Sequence, residues 1–432
     1  MDGAIKSPVN TAQNINLVLL YCGIRTGHFG MGSHSRHIID YFKNQPGYSV
    51  TILKVDSKDV ALMRHYHEGG VEVVEIPQPE NQLFLTEEDT LVQNTYAKRI
   101  CEMAFPFLRS KENTILLCNI VVHIGLAREM KQALGAGLVY IHHNFIWKAY
   151  LKTSYAFFAE QWLRGNARLH PGAFVGTANQ LKIADMSDKV VTVTHQAENF
   201  FSDILHIPSQ KIKTIYNGIS SETKNARVNR IELRKKYGFC DTDRIILFCG
   251  RIAEEKGLPY IIEAFKFLVK KMPDARLLVV GDGQIQESLA LVNPFWSRVN
   301  FTGKLDYNTI TEMYAIADVG VMPSTQEQCS ITSIEMRFHK LPMIVSAVEG
   351  LDEMFEDGFD ALKLPVKYDE NSIIYFSVED LYERLLILLE DDTLSSILAE
   401  NAWLKGMKKF TSERMTNEYD KVFRSLFANH KI

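Results

Sequence analysis

The sequence predicts an α/β protein made of two doubly wound parallel-sheet domains, and three observations predict it. Apolar runs of strand length alternate with amphipathic segments almost from end to end, the pattern of a parallel sheet covered by helices on both faces. A second series of such runs starts near Arg244, after a charged interruption. The chain has 432 residues, 46% of them hydrophobic, enough for two cores of ordinary domain size.

In the first half the expected strands are Asn16 to Cys22, Tyr48 to Val55, Val71 to Ile76, Thr114 to Cys118, Leu138 to His142 and Val190 to Val193, with helices in most of the gaps. The second series runs through ILFCG, LLVVG from Leu277, VNFTG from Val299, VGVMPS from Val319 and MIVSAV from Met343. Between them, IKTIYNG reads as a strand entering a turn and ETKNARVNRIELRKKYG as a charged surface stretch, so the hinge is expected within Ser209 to Phe239. After Tyr375 only helical spacing remains, ending in TSERMTNEYDKVFRSLF. The expected domains are therefore 1–208, 209–408 and a terminal helix within 409–432.

Composition excludes several classes of function. With 48 Lys and Arg against 52 Asp and Glu, the chain lacks the basic field that grips nucleic acid. The six cysteines are scattered without metal-ligand spacing, which argues against a zinc site or a disulfide framework. The amino-terminal residues lack a basic region followed by a long apolar stretch, so neither a leader nor a membrane span is expected and a reducing cytoplasm is the expected location. Leu91 to His170 carries 10 basic and 4 acidic residues among Phe145, Trp147, Tyr150, Tyr155, Phe157, Phe158 and Trp162. Such a segment is either core with solvated lysines or a face for an acceptor or a peripheral membrane contact.

Chemistry concentrates in two stretches. In FCGRIAEEKGLPYIIEAF a strand ends at Gly250, and Arg251 and Lys256 then flank a loop that opens onto a helix. Two cations beside a helix start suit a diphosphate, Arg by planar paired donors and Lys as a point charge. In VGVMPSTQEQCSITSIEMRF, Glu327 and Glu335 stand eight apart, the second in a helix expected to begin near Ser330. Carboxylates pair with vicinal hydroxyls, while amides at a helix start receive phosphate or sugar oxygens. These groups would meet at the C-terminal ends of parallel strands, where open α/β sheets bind ligands.

The strand-G-R-x(4)-K-G pattern at Gly250 to Gly257, the E-x(7)-E pair and the Asn217-Gly218 step resemble, in order and spacing, family 4 retaining glycosyltransferases of the GT-B fold. The resemblance covers nearly the whole chain, is strongest from Lys211 to Leu364, and implies two Rossmann-like domains facing a cleft with the terminal helix crossing back to the first domain. It implies that Arg251 and Lys256 hold the donor diphosphate, that Glu335 binds ribose hydroxyls, and that Glu327 contacts the donor sugar. Backbone amides around Gln328, Cys329, Ser330 and Ile331 would complete those contacts. Gly281, Asp282, Gly303 and Lys304 would frame the nucleotide base. In the first half, Gly30, Gly32 and Ser33 follow the first strand in the place of the family's glycine-rich loop. Gly27 precedes them, and Ser35 replaces the third glycine of a dinucleotide fingerprint. At the end of LVYIHHN, His143 matches the family's strand-end histidine, with His142 as the alternative.

The resemblance further implies front-face retaining transfer, in which the acceptor attacks from the side the nucleotide leaves and the leaving phosphate takes the proton. No catalytic metal is expected, because the only Asp-x-Asp, at Asp241 to Asp243, lies in a polar turn before a strand. No bound cofactor is expected either; the nucleotide sugar is a co-substrate, a UDP-hexose before a GDP-sugar. The acceptor is expected to be a polysaccharide or a peptide, with a lipid-linked acceptor as the alternative. The competing readings are a non-catalytic nucleotide-sugar binder and an epimerase or phosphorylase on the same scaffold.

Overall fold

Runs rich in Val, Ile and Leu can be buried on both faces only when helices cover the sheet on each side. In a computed structural model of the protein, which describes residues 14–22, 30–79, 91–109, 113–119, 124–221 and 229–427, that constraint is met twice. The first sheet contains β1 (Ile15–Cys22), β2 (Tyr48–Ser57), β3 (Arg64–Glu68), β4 (Val71–Pro77), β5 (Thr114–Cys118), β6 (Gly137–His142), β7 (Lys189–Thr192) and β8 (Ile212–Thr214). Their order is β3-β4-β2-β1-β5-β6-β7-β8, and only the β3/β4 pair is antiparallel.

The second sheet contains β9 (Arg244–Cys249), β10 (Ala275–Val280), β11 (Val299–Gly303), β12 (Val319–Met322), β13 (Met343–Ser346) and β14 (Leu362–Leu364). It is wholly parallel, in the order β11-β10-β9-β12-β13-β14. In each sheet the order reverses beside the earliest strand, between β1 and β5 and between β9 and β12. A crevice opens at such a point because successive connections leave to opposite faces.

Three expectations about the linker are corrected. The strand IKT of β8 closes the edge of the first sheet, so that sheet continues past the boundary expected at 208. Asn217 and Gly218 form no turn; the chain there leads into a bridge between Ile219 and Thr411. Gly218 is required because a Cβ would lie 2.2 Å from the carbonyl oxygen of Thr411. The charged stretch is in part a helix, Arg230–Lys236, capped by the Asn229 side chain. Arg234 on that helix is buried, bonded to the Ile316 and Asp243 carbonyls and to Asp318 at 2.7 Å, so its charge serves packing rather than the surface.

The chain crosses between the domains twice, side by side. The Ile219 amide donates to the Phe410 carbonyl and the Ser412 amide to that of Ile219, at 3.0 and 2.7 Å. Helix Ser412–Ser425 then packs Met415, Tyr419, Val422 and Phe423 against Ile15, Leu17, Ile38, Phe42 and Val50. One face of the first sheet is thus completed by the last helix of the chain. In the aromatic, basic segment Phe145, Trp147 and Phe158 are buried, with the Trp147 ring stacked on Phe158 at 4.4 Å, while Tyr150 stays exposed. Among the described residues no helix is long and apolar enough to cross a membrane.

Candidate nucleotide-sugar site

Three glycines draw the C-terminal ends of β9, β10 and β11 into one rim. The Gly250 amide donates to the Val280 carbonyl and the Gly281 amide to that of Gly303. Gly281 has φ 134°, and a Cβ there would lie 1.9 Å from the Gly250 oxygen, so the backbones approach closely only without a side chain. Asp282 and Lys304 stand exposed on this rim.

After Gly250 the chain forms a short turn, Glu254–Lys256, and enters helix Leu258–Lys271 through Gly257. Gly257 takes the left-handed conformation, φ 71°, against Pro323 of the neighbouring loop. This seats Lys256 beside the loop after β12, where its ammonium donates to Glu327. Ser324 donates to the same carboxylate oxygen at 3.2 Å. Arg251 is half exposed and pairs with Glu255. The two cations expected at a diphosphate are therefore held by carboxylates that a more highly charged anion would compete with.

Ser330 caps helix Ile331–Phe338, accepting from the Ser333 amide, and aims the helix start at the same crevice. Glu335 lies one turn further in. The Tyr314 hydroxyl donates to its Oε2 at 2.7 Å, and Cys249 lies 3.4 Å from that hydroxyl. Burial pushes the Glu335 carboxyl up to about 7, with the Tyr314 hydrogen bond opposing the rise. Cys329 is buried and its thiol is pushed up to about 12 by that burial, so it is no nucleophile at neutral pH. Its carbonyl accepts from Asn217 Nδ2 at 2.7 Å. The Asn-Gly step therefore acts by holding the Cys329 backbone in place.

Across the cleft, helix Gly30–Phe42 begins at the crevice of the first sheet with Gly30, Gly32 and Ser33 in its first turn; Gly27 lies outside the described residues. Its Ser35 accepts from Asn119, just beyond β5, at 2.7 Å. His142 is fully buried at the end of β6, 3.2 Å from Gln180 and 3.4 Å from the Tyr140 hydroxyl. His143 is less enclosed and meets the His34 ring at 4.6 Å. His34 in turn lies 3.2 Å from the hydroxyl of Tyr419 on the terminal helix. Burial brings His142 down to about 3 and His143 to about 4, so both are neutral at physiological pH. Gln180 anchors His142 in the core, and His143 is the one on the open side.

Apart from Gln328, sequence reasoning missed the groups that join the two halves. Thr194 donates to Gln328 at 2.8 Å. The Glu353 carboxylate accepts from the His195 and Gln196 amides and the Tyr216 hydroxyl, at 2.8, 3.0 and 2.6 Å. Lys148 and Glu349 form a buried ion pair across the cleft. Gln328 is expected at the site only through its backbone amide; a lone lysine in IWKAY or glutamate in AVEGL becomes meaningful only when its partner is known. Asp243, of the Asp-x-Asp, is buried and paired with Arg276 at 3.1 Å, a structural role. Among the described residues no group of three or more His, Cys, Asp or Glu could hold a metal ion.

Two Rossmann-like domains with facing crevices and a terminal helix returning to the first define a GT-B scaffold. Residues 229–404 match the family described as glycosyl transferases group 1. The alpha-D-kanosaminyltransferase of Streptomyces kanamyceticus is 26% identical over 242 residues, 55% of this chain and 60% of that protein. The N-acetyl-alpha-D-glucosaminyl L-malate synthase of Bacillus anthracis is 26% identical over 250 residues, 57% of this chain and 62% of that protein. The matches therefore span about 60% of these two relatives' length. Among solved structures, sucrose-phosphate synthase from Thermosynechococcus elongatus superposes with a TM-score of 0.73 at 18% identity, over 96% of this chain and 99% of that one. Anabaena HepE in complex with UDP-glucose does so with a TM-score of 0.68 at 16% identity, over 95% and 99%.

Proposed function

We propose that the chain is a glycosyltransferase that moves a hexose, with retention of configuration, from a nucleotide diphosphate sugar to a hydroxyl-bearing acceptor. One observation carries the reading: Arg251, Lys256, Glu327, Glu335 and the Ser330-capped helix start converge on the crevice between β9 and β12. A diphosphate needs cations and amides; a ribose and a hexose need carboxylates; this crevice offers all three within one rim. UDP is the favoured nucleotide, supported by the UDP-glucose complex of the superposable HepE.

In this reading Arg251 and Lys256 leave their carboxylate partners for the diphosphate and stabilise the charge that builds on it as the glycosidic bond breaks. Lys256 gives up Glu327, whose freed oxygen then accepts from a donor-sugar hydroxyl. Glu335 accepts from the ribose. The amides from Gln328 to Ile331 take the remaining phosphate and sugar oxygens, and Gly250, Gly281, Asp282, Gly303 and Lys304 border the base. Gly30, Gly32 and Ser33 approach the phosphates from the opposite domain. His143, neutral, donates or accepts at the sugar without carrying charge. The leaving phosphate takes the acceptor proton, so no enzymic carboxylate has to act as nucleophile. A polysaccharide or peptide acceptor remains the reading for the second substrate.

The test is turnover with UDP-hexoses after Arg251→Ala and Lys256→Ala. Loss of a charge-stabilising donor lowers turnover by about 10²-fold or more; near-normal rates in both variants would remove the diphosphate assignment. Transfer is expected to survive chelation by EDTA, since the diphosphate charge is met by side chains. Abolition by EDTA with rescue by one divalent ion would overturn the metal-free mechanism.

A further inference from the structure

Between the domains, beyond the C-terminal ends of β13 and β14, lies a cavity of about 410 Å³. The first domain contributes the start of helix Tyr155–Leu163, with Ser154, Tyr155 and Ala156, together with Gln196. The second contributes Val348, Glu349, Asp352, Glu353 and the short strand segment at Tyr368. None of Arg251, Lys256, Glu327 or Glu335 lines it, so it is separate from the diphosphate crevice.

Its lining combines two kinds of group. Tyr155, Tyr368, Val348 and Val366 offer apolar and aromatic surface, while Gln196 and the carboxylates offer polar atoms. The charges are nearly balanced: Lys148 pairs with Glu349, and Lys363 with Asp352 at 2.8 Å. Glu353 is already engaged by two amides and a hydroxyl. Glu349 is different. Its side chain is 7% exposed, one oxygen takes Lys148, and the other is buried with no hydrogen-bond partner. A buried carboxylate oxygen without a donor is costly, and a ligand hydroxyl would supply what is missing once the Glu349 side chain turns that oxygen into the cavity.

We propose that this cavity binds a neutral saccharide, with a sugar hydroxyl donating to the second oxygen of Glu349 and the Tyr155 and Tyr368 side chains packing on its apolar faces. Aromatic bodies with a few placed acceptors suit a ligand that is apolar on its ring faces and rich in donors at its edge. Phosphate- or carboxylate-bearing sugars are disfavoured, because the second oxygen of Glu349 needs a donor and would repel an anionic oxygen. Binding as such does not depend on the proposed function. The role that follows, an acceptor subsite set beside the donor crevice, rests on that reading.

The test is calorimetric titration of the full chain with methyl α-D-glucoside, methyl α-D-galactoside, methyl α-D-mannoside and methyl N-acetyl-α-D-glucosaminide. Glucose 6-phosphate serves as the anionic control, and each titration is run with and without UDP. The expected result is saturable binding of at least one neutral glycoside, at least about tenfold tighter than glucose 6-phosphate. Tyr368→Ala, at an exposed position, and Ala156→Trp, which fills the mouth from an exposed helix turn, each weaken it by about tenfold or more and leave UDP binding unchanged. No binding by any neutral glycoside, or unchanged affinity in both variants, overturns the proposal. Failure of the wild-type chain to bind UDP would count against the donor reading alone, since the glycoside titration still decides the cavity.

Discussion

Glu335 shows how a single residue ties the site to stability. Its carboxyl is raised from an ordinary 4.5 to about 7 because burial strips water from the ionised form faster than Tyr314 replaces it. Between those values the folded chain holds a proton that the unfolded chain has released, so this group's contribution to stability falls as pH rises through that window. Glu335→Gln removes the dependence. Melting temperatures of the variant relative to the parent should rise from about pH 5 to about pH 8; parallel curves would show that Glu335 is not protonated in the folded state. In the proposed function the same variant loses the ionised acceptor for a ribose, so donor affinity should fall even as the protein gains stability at neutral pH.

At the scale of elements, the glycine before helix Leu258–Lys271 matters more than the helix's own sequence. A left-handed conformation costs an L-residue roughly 1–2 kcal/mol, and at Gly257 a Cβ would also stand 2.0 Å from the Pro323 oxygen. Gly257→Ala should therefore separate the Lys256 turn from the loop that carries Glu327. Gly238→Ala is the control: its φ of 77° is also positive, but nothing lies within 4 Å of the added atom. Calorimetric melting should show a clearly larger loss for Gly257→Ala; equal losses would mean that the contact with Pro323 yields freely.

The whole molecule depends on contacts that join distant parts of the chain. Glu353 links the second domain to the helix start at His195, and removing its carboxylate leaves two amides and the Tyr216 hydroxyl without their acceptor. Glu353→Ala should open the cleft, seen as a larger radius of gyration by small-angle scattering; an unchanged radius would show that Thr194, Lys148 and the double crossing suffice to hold it. The terminal helix carries a different burden. Phe423 is fully buried in the first domain's core, and its truncation to Ala should cost about 3–5 kcal/mol even though it lies at the far end of the chain. A change under about 1 kcal/mol in denaturant unfolding would show that the helix merely rests on the sheet.

Much of this was legible in the residues themselves. A run such as ILFC or LLVV has one stable fate in an α/β chain, burial in a parallel strand, because both its faces are apolar; all eleven strand segments expected from such runs are found. The placement of Arg251, Lys256, Glu327 and Glu335 at the C-terminal ends of parallel strands was likewise legible, because each follows an apolar run at a short, fixed spacing. The polar edge strand β3 and the three-residue β14 were not, since each is held by its neighbours rather than by its own pattern. Tertiary structure alone decided that IKT belongs to the first sheet, that Arg234 is internal, that Phe145, Trp147 and Phe158 are core, and that Lys148 meets Glu349. Local sequence encodes the preferences of one segment, whereas each of these outcomes is set by a partner far along the chain, and the energy of such a contact exists only once both ends have been brought together.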